Sequence, residues 1–326
     1  MDLAFPKKSH LWDEMATEDP SSKIFQIYSY CSKNCRSIER WPSYFHRRYL
    51  EFISYMELFP NKRPDRVLEL GCGIGYQSAM LAQVAGTVIA TDLPDEDLQS
   101  HAPGMLQAQL LHRQLDVKNV ELVGCSAENL PFDDNSFDMV YSSHVLEHIP
   151  DQIKALNEIY RVLKPGGIHF CVVPTRAEKV YALANFYIYL FQRSVFHLFK
   201  KISGSGNKSI GEIEKDAASA SSVSILKDFP FPPPHGHYKN YQEELKKWTP
   251  SQWEDMLLSV KGFETVRVCT TQFNPLLSLL GGIWPVAGTN IHALTRKLEL
   301  SMGSLKLFRV VGLNAVIVLK SNKSSL

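Results

Sequence analysis

The stretch Arg66-Val67-Leu68-Glu69-Leu70-Gly71-Cys72-Gly73-Ile74-Gly75 decides the fold, and Tyr76-Gln77-Ser78-Ala79-Met80-Leu81 follows it directly. Arg66–Leu70 is a short, largely apolar run of strand character. Three glycines then alternate with other residues, and a helix-forming segment begins at Tyr76. Glycine lets the chain turn sharply and lets a ligand approach with no Cβ in the way. Helix amides after such a turn attract negatively polarised groups. A dinucleotide fingerprint needs G-x-G-x-x-G, yet Tyr76 stands where the third glycine belongs. Glu69, two places before the first glycine, is also ill suited to a pyrophosphate and suits a ligand with a cationic amine or sulfonium.

Outward from this loop, β-rich runs alternate with helical ones. Further strands are predicted at Thr87–Thr91, Asn119–Val123, Phe137–Tyr141 and Ile168–Val173. Val, Ile and Phe dominate them, as in strands covered on both faces. Helices are predicted over Tyr76–Ala85, Asp95–Gln114 and Asp151–Leu163, the last ended by Lys164-Pro165-Gly166-Gly167. The alternation implies an α/β fold with a parallel sheet and helices on both sides.

Residues 1–64 read as an N-terminal helical cap, with an amphipathic helix around Pro42–Leu58, and residues 65–175 as the core. Residues 176–248 form an insertion over the substrate side, with a Gly/Ser/Lys-rich linker at Ser203–Ser209 and a Pro-rich loop at Phe229–Pro234. Residues 249–326 complete the core. Thr249 caps a helix with Pro250 in its first turn, strands are predicted at Phe263–Thr270 and Asn314–Lys320, and an apolar insertion occupies about 272–310.

The 326 residues are 44% hydrophobic and 21% charged, the balance of a globular chain with a sizeable core. A formal charge of +1 gives no reason to expect a nucleic-acid backbone as partner, although net charge averages over the surface and leaves room for a local basic patch; no nucleic-acid partner is expected. The N-terminus lacks the apolar run of a secretory signal. Six scattered cysteines complete no zinc pattern, so reduced thiols, a cytoplasmic location and no metal site are expected.

Asp92 lies at the end of the second strand, about twenty residues past Gly71, where a carboxylate can accept both hydroxyls of a ribose. The run Ser126–Asp138 follows the third strand at the carboxyl edge of the sheet, where open α/β folds bind ligands. Most of that run has a structural role: Pro131 and Phe132 pin the loop, and Asp133–Ser136 turn into strand four.

Glu69–Gly75, Asp92, Ala127–Asp138, His144-Val145-Leu146-Glu147-His148-Ile149 and Leu163–Gly167 resemble, in order, the motifs of class I S-adenosylmethionine (SAM)-dependent methyltransferases. The similar branch is the type 11 group, which modifies small molecules, quinones, lipids and sugars, and the resemblance covers about residues 65–175. It implies a Rossmann-like, seven-stranded, mostly parallel sheet with an antiparallel last strand. It implies SAM as cofactor, with Glu69, Gly71 and Gly73 around the methionine part, Asp92 at the ribose, Ser126 and Ala127 at the adenine, and Cys72, Gly75, Leu93 and Glu128 also among the cofactor-binding residues. His144 would sit beside the cofactor near the reaction centre. The family often has Asp where this chain has Ser126, so the adenine amino group would be met by Ser126 or a backbone carbonyl.

A methyltransferase chiefly holds its acceptor in line and excludes water, and needs a base only when the acceptor must lose a proton. Candidates are His144 and, in the loop after the triple proline, His235 and His237; His148 reads rather as a helix-capping or packing residue. Val180–Phe199, followed by Lys200 and Lys201, reads either as a substrate-domain helix or as a membrane-surface segment over 180–201. With the apolar stretch Asn274–Pro285 it points to a small-molecule, sugar or lipid-like acceptor. A catalytically silent SAM-binding scaffold and a nicotinamide oxidoreductase are the alternatives, and the oligomeric state is open.

Overall fold

The computed structural model describes residues 22–34, 43–59, 63–94, 104–181, 183–184, 187, 238–271 and 312–324. Their strands are β1 (Arg66–Leu70), β2 (Thr87–Asp92), β3 (Val120–Gly124), β4 (Phe137–Ser143), β5 (Leu163–Pro174), β6 (Phe263–Thr271) and β7 (Asn314–Ser321). They form one seven-stranded sheet in the order β3-β2-β1-β4-β5-β7-β6. Strands β1 to β5 pair in parallel. Strand β7 runs antiparallel to both β5 and β6, so β6 points the same way as β1 to β5. The sheet is therefore the mostly parallel, Rossmann-like one expected, with its last strand reversed.

The helices are α1 (Lys23–Asn34), α2 (Ser43–Leu58), α3 (Tyr76–Leu81), α4 (Met105–Gln114), α5 (Gln152–Val162), α6 (Tyr241–Lys247) and α7 (Pro250–Leu258). Side chains alternate across the sheet, as a pleated strand requires. Val67, Met139, Tyr141, Phe170, Val172, Val316 and Val318 share one core with α1, α2 and α3. Leu68, Leu70, Val140, Cys171, Val173, Ile317 and Leu319 share the other with α5 and α7. On the first face Tyr141 and Phe170 stack with centroids 5.4 Å apart, and Tyr55 of α2 meets them edge-on at 6.3 and 5.5 Å. Aromatic edge-to-face contacts of this kind fix a helix on a sheet more sharply than burial alone. On the second face the Trp253 indole N–H donates to the Pro174 carbonyl at 2.9 Å, tying α7 to the end of β5.

Local chemistry sets the element ends. Asp151 caps α5 by accepting from the Lys154 amide at 3.0 Å, and Thr249 caps α7 through the Gln252 amide at 3.3 Å. Three sequence expectations are revised. Helix α3 stops at Leu81 rather than Ala85, because Ala82–Val84 tighten into turns that lead to Gly86. Strand β5 begins at Leu163, not Ile168, because Leu163 pairs with Phe137 ahead of an irregular stretch through Gly166, at φ +72°, with the Lys164 ammonium 2.7 Å from Asp138. Helix α1 was not foreseen; Ile24, Ile27, Tyr28 and Cys31 give it a buried face. The early part of the helix expected from Asp95 lies outside the described residues, as does the apolar insertion at 272–310.

Candidate cofactor-binding and active site

Strand order reverses between β1 and β4, where the chain leaves β1 toward β2 on one side and returns through β4 on the other. Ligands of open α/β sheets sit outside the carboxyl ends of the strands at such a point. The Gly71–Gly75 loop leaves β1 there. Gly71, Gly73 and Gly75 all hold positive φ, at +65°, +51° and +76°. A Cβ at Gly71 would lie 2.4 Å from a Val145 methyl, and one at Gly75 would lie 2.6 Å from the His112 ring. At Gly73 nothing lies within 4 Å of that position. Two glycines are thus required by protein packing, while the middle one faces open space.

The loop is held from below. The Cys72 amide donates to the Thr91 carbonyl at 2.9 Å, and the Thr91 hydroxyl donates to the Glu69 carbonyl at 2.9 Å. His112 Nε2 donates to the Gly75 carbonyl at 2.8 Å, and burial lowers the ring's pKa. Asp92 reaches back into the loop. One of its oxygens accepts the Gly73 amide at 2.7 Å and the other the Leu93 amide at 2.8 Å.

Glu69 is 2% exposed and accepts from the Ser78 hydroxyl. Burial pushes its carboxyl up to about 8, Asp92 adds to the rise, and the Ser78 hydrogen bond opposes it. A cation placed over the loop would draw that proton off and pair with the carboxylate.

The third expected segment closes the same mouth. The Cys125 amide donates to the Asp92 carbonyl at 2.9 Å, which sets Ser126 and Ala127 beside the end of β2. The Ser126 hydroxyl accepts from the Glu128 amide at 3.2 Å. Glu128 accepts the Asp151 amide at 3.0 Å and so anchors the start of α5. Arg161 of α5 stitches down the rest of the run, donating to the Leu130 and Phe132 carbonyls and to Asp134 at 2.7–2.9 Å.

His144 follows β4 with φ +55°, a left-handed conformation unusual for a side chain of this size. Its amide donates to the Val172 carbonyl at 2.9 Å, and the adjacent Val145 packs on Gly71. The ring stands between two buried carboxylates, with Nε2 3.4 Å from Glu51 and Nδ1 3.3 Å from Glu147. Burial and the nearby Arg48 oppose its protonation, but Glu51 and Glu147 outweigh them and raise its pKa.

Glu51, from α2, also accepts from Arg48 at 2.8 and 3.0 Å, from Ser143 at 2.6 Å and from Asn314 at 2.9 Å. Burial alone would raise its carboxyl, yet Arg48, then His144 and Ser143, hold it well below the usual range.

The structure therefore gathers Glu69, Gly71, Cys72, Gly73, Gly75, Asp92, Leu93, Ser126, Ala127, Glu128 and His144 at one end of the sheet. His148 is exposed. His235 and His237 lie outside the described residues, as does most of 180–201. Sequence reasoning missed Arg48, Glu51, Ser143 and Asn314, and it gave Glu147 no role of its own. One signal was available: Glu51 falls within the apolar face that runs through Phe52 and Tyr55, an odd place for an acid without a partner.

Residues 68–171 match the type 11 family model described as a methyltransferase domain. The match is confined to that segment. A demethylmenaquinone methyltransferase of Listeria monocytogenes serotype 4a (strain HCC23) is 36% identical over 120 residues, 36% of this chain and 48% of the relative. A ubiquinone/menaquinone biosynthesis C-methyltransferase of Stenotrophomonas maltophilia (strain R551-3) is 33% identical over 161 residues, 47% of this chain and 59% of the relative. The chain thus spans about half the length of the curated relatives it matches. Among solved structures, the YcgJ protein of Bacillus subtilis aligns over 86% of this chain and all of its own, at 17% identity and a TM-score of 0.43. Among the described residues, no helix is long and apolar enough to cross a membrane.

Proposed function

We propose that the protein is a SAM-dependent methyltransferase acting on a small, quinone-type or lipid-like acceptor. The observation that carries this reading is Glu69, a buried carboxyl beneath a glycine loop whose middle residue faces open space. That arrangement fits a ligand with a positive centre. It does not fit a dinucleotide pyrophosphate, because the third-glycine position holds the buried Tyr76, packed edge-on against Phe45 at 5.1 Å. Glu69, Gly71, Cys72, Gly73 and Gly75 would hold the methionine part of SAM, Asp92 and Leu93 its ribose, and Ser126, Ala127 and Glu128 its adenine. Bound SAM supplies a methyl group already activated by the sulfonium charge. The protein's own part is then to hold the acceptor in line, keep water out and manage any proton the acceptor loses.

The acceptor class rests on the quinone chemistry in the relatives' names and on the apolar stretches Val180–Phe199 and Asn274–Pro285. His235 and His237 remain candidates for acceptor contact, and 180–201 for contact with a membrane surface. Calorimetric titration with SAM and with NAD tests the reading. SAM should bind, NAD should not, and Asp92→Ala should lose SAM because it removes both the ribose acceptor and the Gly73 amide's partner. A folded protein that ignores SAM, or that binds NAD, refutes it.

A further inference from the structure

We propose that Glu147 is the catalytic base of the transfer, and that the acceptor is therefore an acidic hydroxyl or ring C–H of the quinol or phenol class. The inference rests on the proposed methyltransferase reading and names the proton chemistry within it. Glu147 is 1% exposed, and neither of its carboxylate oxygens has a hydrogen bond among the described residues. His144 Nδ1 stands 3.3 Å from it. A buried carboxylate so poorly satisfied is costly unless some other group uses it.

The three groups of this cluster are not equivalent. Glu51 is saturated: Arg48, Ser143 and Asn314 already occupy it, and His144 faces it as well. His144 has a carboxylate against each ring nitrogen, Glu51 at Nε2 and Glu147 at Nδ1, so both nitrogens already face partners within the cluster. Glu147 alone keeps accepting capacity. Its position serves the reaction too. It lies two residues beyond Val145, which packs on the first glycine of the proposed cofactor loop, and just past the carboxyl end of β4. The titratable groups facing it are His144, Cys171 of β5 and Tyr238, with Arg48 and Glu51 behind His144.

The step balances as follows. With SAM bound, the proton of the acceptor's hydroxyl would pass to a Glu147 oxygen, leaving its bonding pair on oxygen. That oxygen's lone pair, or for a ring carbon the ring π pair it feeds, would form the bond to the methyl carbon while the carbon–sulfur pair stays with sulfur. For a ring carbon the displaced ring hydrogen would return to the oxygen as a proton, and in either case the Glu147 proton would reach solvent when the products leave. His144 is a positioning residue in this scheme: Glu51 fixes its ring, and the ring in turn stands against Glu147.

The test needs no knowledge of the natural acceptor. 4-Nitrocatechol, an acidic aromatic diol whose colour reports its ionisation, is titrated into the protein below the probe's own ionisation range. The wild-type protein should turn the bound probe to its coloured anion without releasing a proton to the buffer. Glu147→Gln should bind it colourless, while Glu147→Asp should restore part of the colour. In parallel, Glu147→Gln should stay folded by circular dichroism and keep its SAM affinity. With a prenylated dihydroxynaphthalene as acceptor, the same variant should lower kcat about a hundredfold, the size of a general-base contribution. No ionised probe on the wild-type protein, or an unchanged response in Glu147→Gln, overturns the proposal. So does loss of the response in His144→Gln but not in Glu147→Gln. Loss of SAM binding by the wild-type protein overturns the methyltransferase reading instead, and calorimetry reports that separately.

Discussion

Glu69 makes stability depend on pH in a direction that can be worked out in advance. Its carboxyl is pushed from the usual 4.5 up to about 8, with burial as the main cause. Below 4.5 the group is protonated in both folded and unfolded chains and contributes no difference. Between 4.5 and about 8 the unfolded chain releases the proton and the folded chain keeps it, so stability falls as pH rises. Above about 8 both states are ionised and the loss is complete. The gap corresponds to about 5 kcal/mol, to order of magnitude. Glu69→Gln replaces the carboxyl with a neutral amide of the same shape and removes this dependence. Urea unfolding of both proteins across that pH range, without ligand, measures it. The wild-type protein should lose several kcal/mol relative to the variant on going from acid to mild alkali. Two stability curves that stay parallel would show that Glu69 ionises normally, and that the loop does not hold a proton for a cation to displace.

Other outcomes follow from the same geometry. Near neutral pH, SAM binding should release about one proton from Glu69, seen as a calorimetric heat that varies with the buffer's ionisation enthalpy and vanishes in Glu69→Gln. Gly71→Ala combines a left-handed backbone with a Cβ 2.4 Å from Val145, so it should destabilise the protein by about 3 kcal/mol in denaturant unfolding and abolish SAM binding. Arg161→Ala removes the donor that holds Leu130, Phe132 and Asp134; it should cost about 2 kcal/mol and speed hydrogen exchange in that loop. Trp253→Phe leaves the Pro174 carbonyl without its indole donor and should lower stability by about 1–2 kcal/mol, with SAM binding unchanged.

The core of the fold was legible because its strands are short, apolar and punctuated by glycine. Arg66–Leu70 came out with its bounds intact, and the reversed final strand followed from the family resemblance. The boundaries that moved did so where tertiary pairing overrode local preference. Lys164-Pro165-Gly166-Gly167 reads as a stop signal, yet pairing of Leu163 with Phe137 and of Lys164 with Asp138 draws it into β5. The glycine loop and Asp92 belong to one local strand–turn–helix unit, so sequence spacing could place them. The charged cluster at His144 could not be read that way, since Glu51 and Asn314 meet 263 positions apart. Only the folded sheet, with α2 clamped on it by Tyr55, brings them together.

Methyl transfer itself is the most direct test of the central claim. The purified protein is mixed with SAM carrying a carbon-13 label in its methyl group, together with a set of prenylated quinols, and the label is followed by NMR. The account predicts that the sulfonium methyl resonance disappears as a new carbon- or oxygen-bound methyl grows on one quinol. Tight binding of SAM with no transfer to any of these acceptors would contradict it, and would mark the protein as a SAM-binding scaffold.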